Sequence, residues 1–306
     1  MSRPLVLLTT PQLDFAAPAL LERYDVVRWW EAPPNELLQR VKALVCMGHH
    51  PLHMLDRLTD LAMVACFTAG YDAIDLAALR ERNIVVCNAG EAAAEPVAEF
   101  ALALILASTR NVAWGNALVH AGHWGDGPIR LGRGLPELKL GIVGMGAIGR
   151  ALAAKADVLG MSVHWWGPRA KPEISTPRMA TLLELAAQCD VLALCARSDE
   201  TNRHMVSRAA LDALGPTGLL VNVARGQLVD EDALRNALCE GRLGAAALDV
   251  FEVEPTPADR WAGIPNLLAT PHIAGATKGN AVGMTAVMRD NLDRFFDGLA
   301  PSNRIV

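Results

Sequence analysis

Residues 140–150 read LGIVGMGAIGR, an apolar run that meets Gly144, Gly146 and Gly149 in GxGxxG spacing and passes into the helical pattern AIGRALAAKADVLG. In that order a strand, a glycine turn and a helix make an anion site. The glycines permit a tight turn, close approach of backbone to a pyrophosphate, and tight helix packing, while unpaired N–H groups at the helix N-terminus face the anion. The spacing alone is weak, but its strand-loop-helix setting points to a dinucleotide. The alternative is a glycine-rich turn needed only for packing.

Working outward from the loop, a dinucleotide site next asks for Asp or Glu about 20 residues on, to bind the adenosine ribose. Counting from Gly146 reaches Trp166 and Gly167 within MSVHWWGPRAK, residues 161–171, where no carboxylate stands and Arg169 and Lys171 follow. That pattern suits a 2′-phosphate, so NADP(H) is expected ahead of NAD(H), which stays possible. The alternative is a pair of solvated loop charges.

The rest of the chain alternates in the same way. LVLL, DVVRWW, ALVCM, AMVACF and IVVCN read as strands before residue 90, and LGIVG, MSVHWW, DVLALC, GLLVNVA, GAAALDV and NLLAT form a second series from Lys139. Strands separated by helical patterns imply crossovers and parallel sheets. Glu91 to Arg110 is a long helix candidate, and WGNALVHAGHWGDGPIRLGRG after it reads as a loop, either a domain junction or a segment packed on a partner. Near the C-terminus, Val282, Ala286, Met288, Leu292 and Phe295 are expected on one helical stripe docked on the first half. Two α/β lobes follow, with a cleft between them: residues 1–96 with 280–306, and residues 97–279.

Composition agrees with this size. At 306 residues, 52% hydrophobic and 20% charged, with a net charge of −5, the chain suits roughly two domains. It has no basic excess to recruit nucleic acid or an anionic membrane. FALALILAS, residues 100–108, is far short of the ~20 residues a spanning helix needs, and the N-terminal MSRPLVLLTTPQ reads as a first strand. Cys46, Cys66, Cys87, Cys189, Cys195 and Cys239 show no CxxC or zinc spacing, so free thiols in a reducing cytoplasm are expected. The adjacent His49 and His50 read as loop residues, and no metal is expected.

In open α/β sheets, ligands lie beyond the carboxyl ends of the strands. In the second series those ends bring Arg225, Asp249 and His272, with Glu254 just after Asp249. Histidine suits proton exchange near neutral pH, a neighbouring carboxylate favours its charged form, and arginine offers a planar fork for an oxyacid. Together with a nicotinamide they would make a hydride-transfer site. The bland alternative is an Arg225–Glu254 ion pair beside a structural His272.

VNVARGQLVDEDAL, ALDVFEVEP and TPHIAG, following GMGAIG, closely resemble the D-isomer-specific 2-hydroxyacid dehydrogenases, and TAGYDAIDL resembles their substrate-side turn. The resemblance runs from about Cys46 to the end of the chain. It implies a Rossmann doubly wound parallel sheet for the cofactor and a flavodoxin-like substrate lobe. By position it implies that Arg225 binds the substrate, His272 is the acid/base and Glu254 pairs with it. Asp249 would help hold the nicotinamide carboxamide. Met145, Ala147 and Ile148, with the three glycines, and Cys195, Ala196, Val223, Ala224 and Gly275 would line the cofactor. Ala69 and Gly70, with Met47, Gly48 and His49, would receive the substrate carboxylate. A homodimer is implied, with the loop around Trp124 near a partner's active site.

The chain also departs from the family pattern. Ala196 and Arg197 follow Cys195 where a proline is often found, and Gly90 in NAGEAA replaces another common proline. Gly167 stands where NAD-preferring members carry Asp. The sum resembles the glyoxylate and hydroxypyruvate reductase branch, and the expected reaction is NADPH-dependent reduction of a small 2-oxo acid. The rivals are an NAD-linked D-lactate or phosphoglycerate-type dehydrogenase and a nucleotide-sensing protein like the C-terminal binding protein corepressors.

Overall fold

The computed structural model of the chain describes residues 3–48 and 52–306. Its contacts divide the chain into two units, Met1–Ala93 with Ala276–Val306, and Ala94–Gly275. Each is built on an all-parallel sheet, as the alternation of strand and helix patterns requires.

In the first unit, β1 (Leu5–Leu8), β2 (Asp25–Arg28), β3 (Val41–Cys46), β4 (Met63–Cys66) and β5 (Val85–Cys87) line up in the order β2-β1-β3-β4-β5, the flavodoxin-like order. Every residue of β1 and β4 is buried, because both sheet faces are covered. One face carries Leu5, Leu7, Leu44, Val64 and Val86. The other carries Val6, Leu8, Val45 and Ala65, and against these pack Met288 and Leu292 of the helix Lys278–Phe296.

That helix corrects one expectation. Val282 is 71% exposed and Ala286 is exposed too; the inward positions are Met284, Met288, Asn291, Leu292 and Phe295. Two positions along a helix turn the side chain by about 200°, so residues 282 and 286 face away from 284 and 288. The C-terminus then runs beside β5, where Ile305 N–H donates to the Val86 carbonyl at 2.7 Å. Gly90 has φ +59°, and a Cβ there would meet the Asn303 side chain at 2.6 Å. A proline, fixed near −65°, has no place in this turn, which accounts for the departure at NAGEAA.

In the second unit, β6 (Lys139–Val143), β7 (Ser162–Trp166), β8 (Val191–Leu194), β9 (Leu219–Asn222), β10 (Ala245–Leu248) and β11 (Leu267–Ala269) take the order β11-β10-β9-β8-β6-β7. The winding reverses at β6, which lies between β7 and β8. This is the doubly wound sheet expected from the glycine loop, and the loop stands at its switch point.

The helix Ala94–Thr109 packs on the helix Ala147–Val158 and on β9 and β10, burying Ala101, Leu104 and Ile105. Among the described residues no single helix is long and apolar enough to cross a membrane. The expected loop after it is partly helix: Val112–His120 is helical, and the exposed Trp124, Ile129 and Leu131 come later. The helical spacing of NALVH outweighs the glycine and tryptophan there, since a Cβ on Gly115 would meet nothing within 4 Å and a single glycine in a helix costs only about 1 kcal/mol.

Asp75 and Asp230 each cap a helix, accepting the N–H of Ala78 and of Ala233 at 2.9 Å.

Candidate active site

The three loop glycines are not equivalent. Gly144 has φ +94°, and a Cβ there would lie 2.7 Å from Ala196 Cα; one on Gly149 would lie 2.2 Å from the Gly144 carbonyl oxygen. Both are demanded by packing. A Cβ on Gly146 would meet nothing within 4 Å, and Gly146 is the N-cap of the helix Ala147–Val158 without a side-chain cap bond. Free volume beside uncapped helix N–H groups is what a pyrophosphate needs, so these residues fit a dinucleotide. Ala147 and Ile148 open the helix, and Met145 is buried.

The segment after β7 lies against this loop. Gly144 N–H donates to the Trp166 carbonyl at 2.8 Å, and Lys171 Nζ donates to the Met145 carbonyl at 2.8 Å. Arg178 Nη2 donates to the Gly167 carbonyl at 2.8 Å. Of the two basic residues read from sequence, Lys171 therefore ties down the glycine loop, while Arg169 is exposed. Across the loop, Cys195 N–H donates to the Val143 carbonyl at 2.8 Å, and burial pushes its thiol up to about 12. Cys195 thus offers a neutral, apolar surface. Val223 and Ala224, buried, follow β9, and Arg197 is exposed.

At the ends of β9 and β10 the polar residues are held by one another. Asn222 is buried; its Nδ2 donates to the Arg225 carbonyl at 2.9 Å and its Oδ1 accepts Ala224 N–H at 3.0 Å, which fixes the turn that presents Arg225. Arg225 Nη1 donates to the Ala224 carbonyl at 2.6 Å. Asp249 is fully buried. Its Oδ1 accepts Thr270 Oγ1–H at 2.6 Å and Ile273 N–H at 2.9 Å, its Oδ2 accepts Ala274 N–H at 2.8 Å, and its carbonyl accepts His272 N–H at 2.8 Å.

These bonds surround a residue in an uncommon conformation, since His272 has φ +54°. The ring is half-exposed, and its Nδ1 pairs with Glu254 Oε2 at 2.7 Å. Glu254 Oε1 accepts Phe251 N–H at 2.9 Å. Burial pushes the Glu254 carboxyl up, but the His272 and Phe251 hydrogen bonds and the charges of His272 and Arg225 together hold it below the usual carboxylate range. With Nδ1–H directed at a carboxylate, Nε2 is the nitrogen left for proton exchange.

Asn222 and Thr270 were not singled out in the sequence. The Asn at the end of a buried apolar strand was the available signal for the first, since a buried amide needs partners. Gly275 follows Ala274 at the edge of the same turn. In the other unit, the turns after β3 and β4 lie side by side. Gly48 has φ +80°, and a Cβ there would be 2.4 Å from the Gly70 carbonyl oxygen. Thr68 Oγ1 donates to that oxygen at 2.9 Å, and the Ala69 carbonyl accepts Asn88 Nδ2–H at 2.7 Å. Met47 is partly buried beside them, and His49 lies outside the described residues. Trp124 is 81% exposed.

Comparison with known proteins agrees with this arrangement. The model of the D-isomer specific 2-hydroxyacid dehydrogenase, NAD binding domain, matches residues 102–274. Glyoxylate/hydroxypyruvate reductase A of Arabidopsis thaliana is 33% identical over 96% of this chain and 96% of its own length. The 2-ketogluconate reductase of Gluconobacter oxydans is 38% identical over 80% of this chain and 79% of its own. The crystal structure of an NADPH-dependent glyoxylate/hydroxypyruvate reductase from Sinorhizobium meliloti, in complex with NADP and malonate, superposes with a TM-score of 0.91 at 29% identity, covering 100% of this chain and 97% of that one. With its glycine loop, its Arg225, Glu254 and His272, and relatives matched over nearly its whole length, the chain belongs to the D-isomer specific 2-hydroxyacid dehydrogenase family.

Proposed function

We propose that this protein reduces small 2-oxo acids, glyoxylate and hydroxypyruvate first, to the D-2-hydroxy acids, preferring NADPH to NADH. The observation that carries the reading is the 2.7 Å pair between His272 Nδ1 and Glu254 Oε2 in the dinucleotide-type unit. The names of the Arabidopsis and Sinorhizobium relatives support the substrate class.

Gly144 to Gly149 would hold the pyrophosphate and Arg169 the 2′-phosphate; Cys195, Ala196, Val223, Ala224, Asp249 and Gly275 would line the path to the nicotinamide. When bound, the reduced nicotinamide supplies the hydride. Arg225 orients the oxo acid and stabilises negative charge growing on its carbonyl oxygen. His272 gives that oxygen the proton held at Nε2, and Glu254 balances the imidazolium before the transfer. The backbone N–H groups of Ala69 and Gly70, with the turn at Met47 and Gly48, would receive the substrate carboxylate. A cytoplasmic homodimer, with Trp124 approaching the partner, completes the proposal.

Purified protein is tested for NADPH and NADH oxidation with glyoxylate, hydroxypyruvate and pyruvate; no turnover with any of them overturns the reading. Arg169→Ala should raise KM for NADPH at least about tenfold more than KM for NADH, as loss of a charge-assisted phosphate contact implies. Equal changes would remove Arg169 from the phosphate site.

A further inference from the structure

We infer that Glu231, clamped by Arg260, is a positioning residue for the His272–Glu254 pair, acting through the Phe251–Glu252 peptide. The inference rests on the proposed reductase site and adds to it a control element outside it.

Glu231 opens the helix Glu231–Cys239 and is 4% exposed. Its Oε1 accepts Glu252 N–H at 2.7 Å, and its Oε2 accepts Arg260 Nε–H at 2.7 Å. Both carboxylate oxygens are thus committed, one to a backbone amide and one to a guanidinium. The same peptide rests on Gly226, the residue after Arg225: a Cβ on Gly226 would fall 1.8 Å from Phe251 C and 2.1 Å from Glu252 N. Gly226 and Glu231 therefore fix the peptide together.

One peptide back, across the Phe251 Cα, the chain reaches the reactive pair in two hydrogen bonds. Phe251 N–H donates to Glu254 Oε1 at 2.9 Å, and Glu254 Oε2 pairs with His272 Nδ1 at 2.7 Å. The Glu252 side chain turns to Arg203 and to His204 Nε2, the latter at 3.0 Å, so this segment is tied by its side chain too. Phe251 packs its ring on Trp261, next to Arg260, with centroids 5.7 Å apart. A buried carboxylate is a costly way to hold a surface loop unless both oxygens are satisfied, and here the satisfied groups lead to Glu254. The charged groups that bear on Glu254 are His272 and Arg225; Glu231 acts by placing the carboxylate among them.

The test compares wild type with Glu231→Ala, Glu231→Gln and Arg260→Ala by two readouts. The first is titration of the Glu254 carboxyl by carbon NMR in the protein without cofactor; the second is kcat and both KM values for 2-oxo acid reduction. In Glu231→Ala, Glu254 should titrate higher than in wild type, toward the ordinary carboxylate range. Its kcat should fall about tenfold to a hundredfold, as for a displacement near 1 Å, with KM for NADPH within about twofold. Glu231→Gln keeps an amide oxygen for Glu252 N–H but turns an NH2 group toward Arg260, so its kcat should lie between those of Glu231→Ala and wild type. A folded Glu231→Ala with wild-type Glu254 titration and kcat overturns the inference, as does a Gln variant no better than Ala. If Glu231→Ala fails to fold, Arg260→Ala decides: an upward move of the Glu254 titration supports the inference and an unmoved one overturns it. Wild type lacking all 2-oxo acid turnover would defeat the proposed function alone, because the Glu254 titration still tests the positioning.

Discussion

Gly226→Ala puts a methyl group where the structure has backbone. The new Cβ would lie 1.8 Å from Phe251 C, 2.1 Å from Glu252 N and 2.2 Å from Phe251 O. Carbon contacts settle at about 3.5 Å or more, so one strand of backbone must give by roughly 1.7 Å. No rotamer change absorbs this, since all three atoms are main chain. Nor can the peptide simply retreat, with Glu231 bonded to its N–H. The displacement reaches Arg225, one residue before, and Glu254, three after Phe251. A misplacement of about 1 Å can cost about a hundredfold in rate, so kcat should fall at least that far. Overpacking costs about 1–3 kcal/mol, which lowers Tm by about 2–12 °C for a unit of this size. The glycine loop on β6 is untouched, so KM for NADPH should stay within about twofold. Loss of nicotinamide absorbance gives the rates and calorimetry the Tm. A folded Gly226→Ala enzyme with kcat within about threefold of wild type would refute the argument.

The loop glycines separate ligand space from packing space. Gly146→Ala should leave Tm within about 1 °C, because its Cβ enters open volume, yet raise Kd for NADPH at least about tenfold by filling the pyrophosphate's place; Gly149→Ala, 2.2 Å from the Gly144 oxygen, should lower Tm. Equal Tm losses in the two would sink the distinction. For Glu254, a folded-state carboxyl held below its unfolded value, about 4.3, stabilises the fold above that value and loses the effect as pH falls through the folded one. The Tm gap between wild type and Glu254→Gln should therefore be largest above the carboxylate range and close on acidification; a gap that widens in acid contradicts the pairing.

Much of the architecture is legible in the sequence. Each expected strand appears, and the fully buried parallel ones show as apolar runs such as LVLL and LLVN. The glycine loop was readable as a unit, but not which glycine serves packing and which a ligand, since that depends on Ala196, distant in sequence. Val282 and Ala286 mislead because both are apolar, while the first apolar residue of the inward stripe is Met284. Val112–His120 was hidden by its glycine and tryptophan content. Arg225, Glu254 and His272 stood out by chemistry at strand ends. Asp249, which the resemblance places beside a nicotinamide, accepts the Thr270 hydroxyl and the backbone N–H groups that follow His272, and no periodicity announces such partners. Glu231 has nothing in the sequence to set it apart from an ordinary acid in the first turn of a helix.

The left-handed turn at His272 bears on how portable this chemistry is. The hexapeptide TPHIAG does not by itself encode where its imidazole points, because a histidine at φ +54° relaxes to negative φ once its surroundings stop insisting. The insistence comes from Asp249, at the end of a different strand, through bonds to residues 270, 273 and 274. Anyone grafting this histidine onto another parallel sheet must carry the aspartate of the neighbouring strand with it. The transferable part is a pair of adjacent strand ends, and the motif is only half of it.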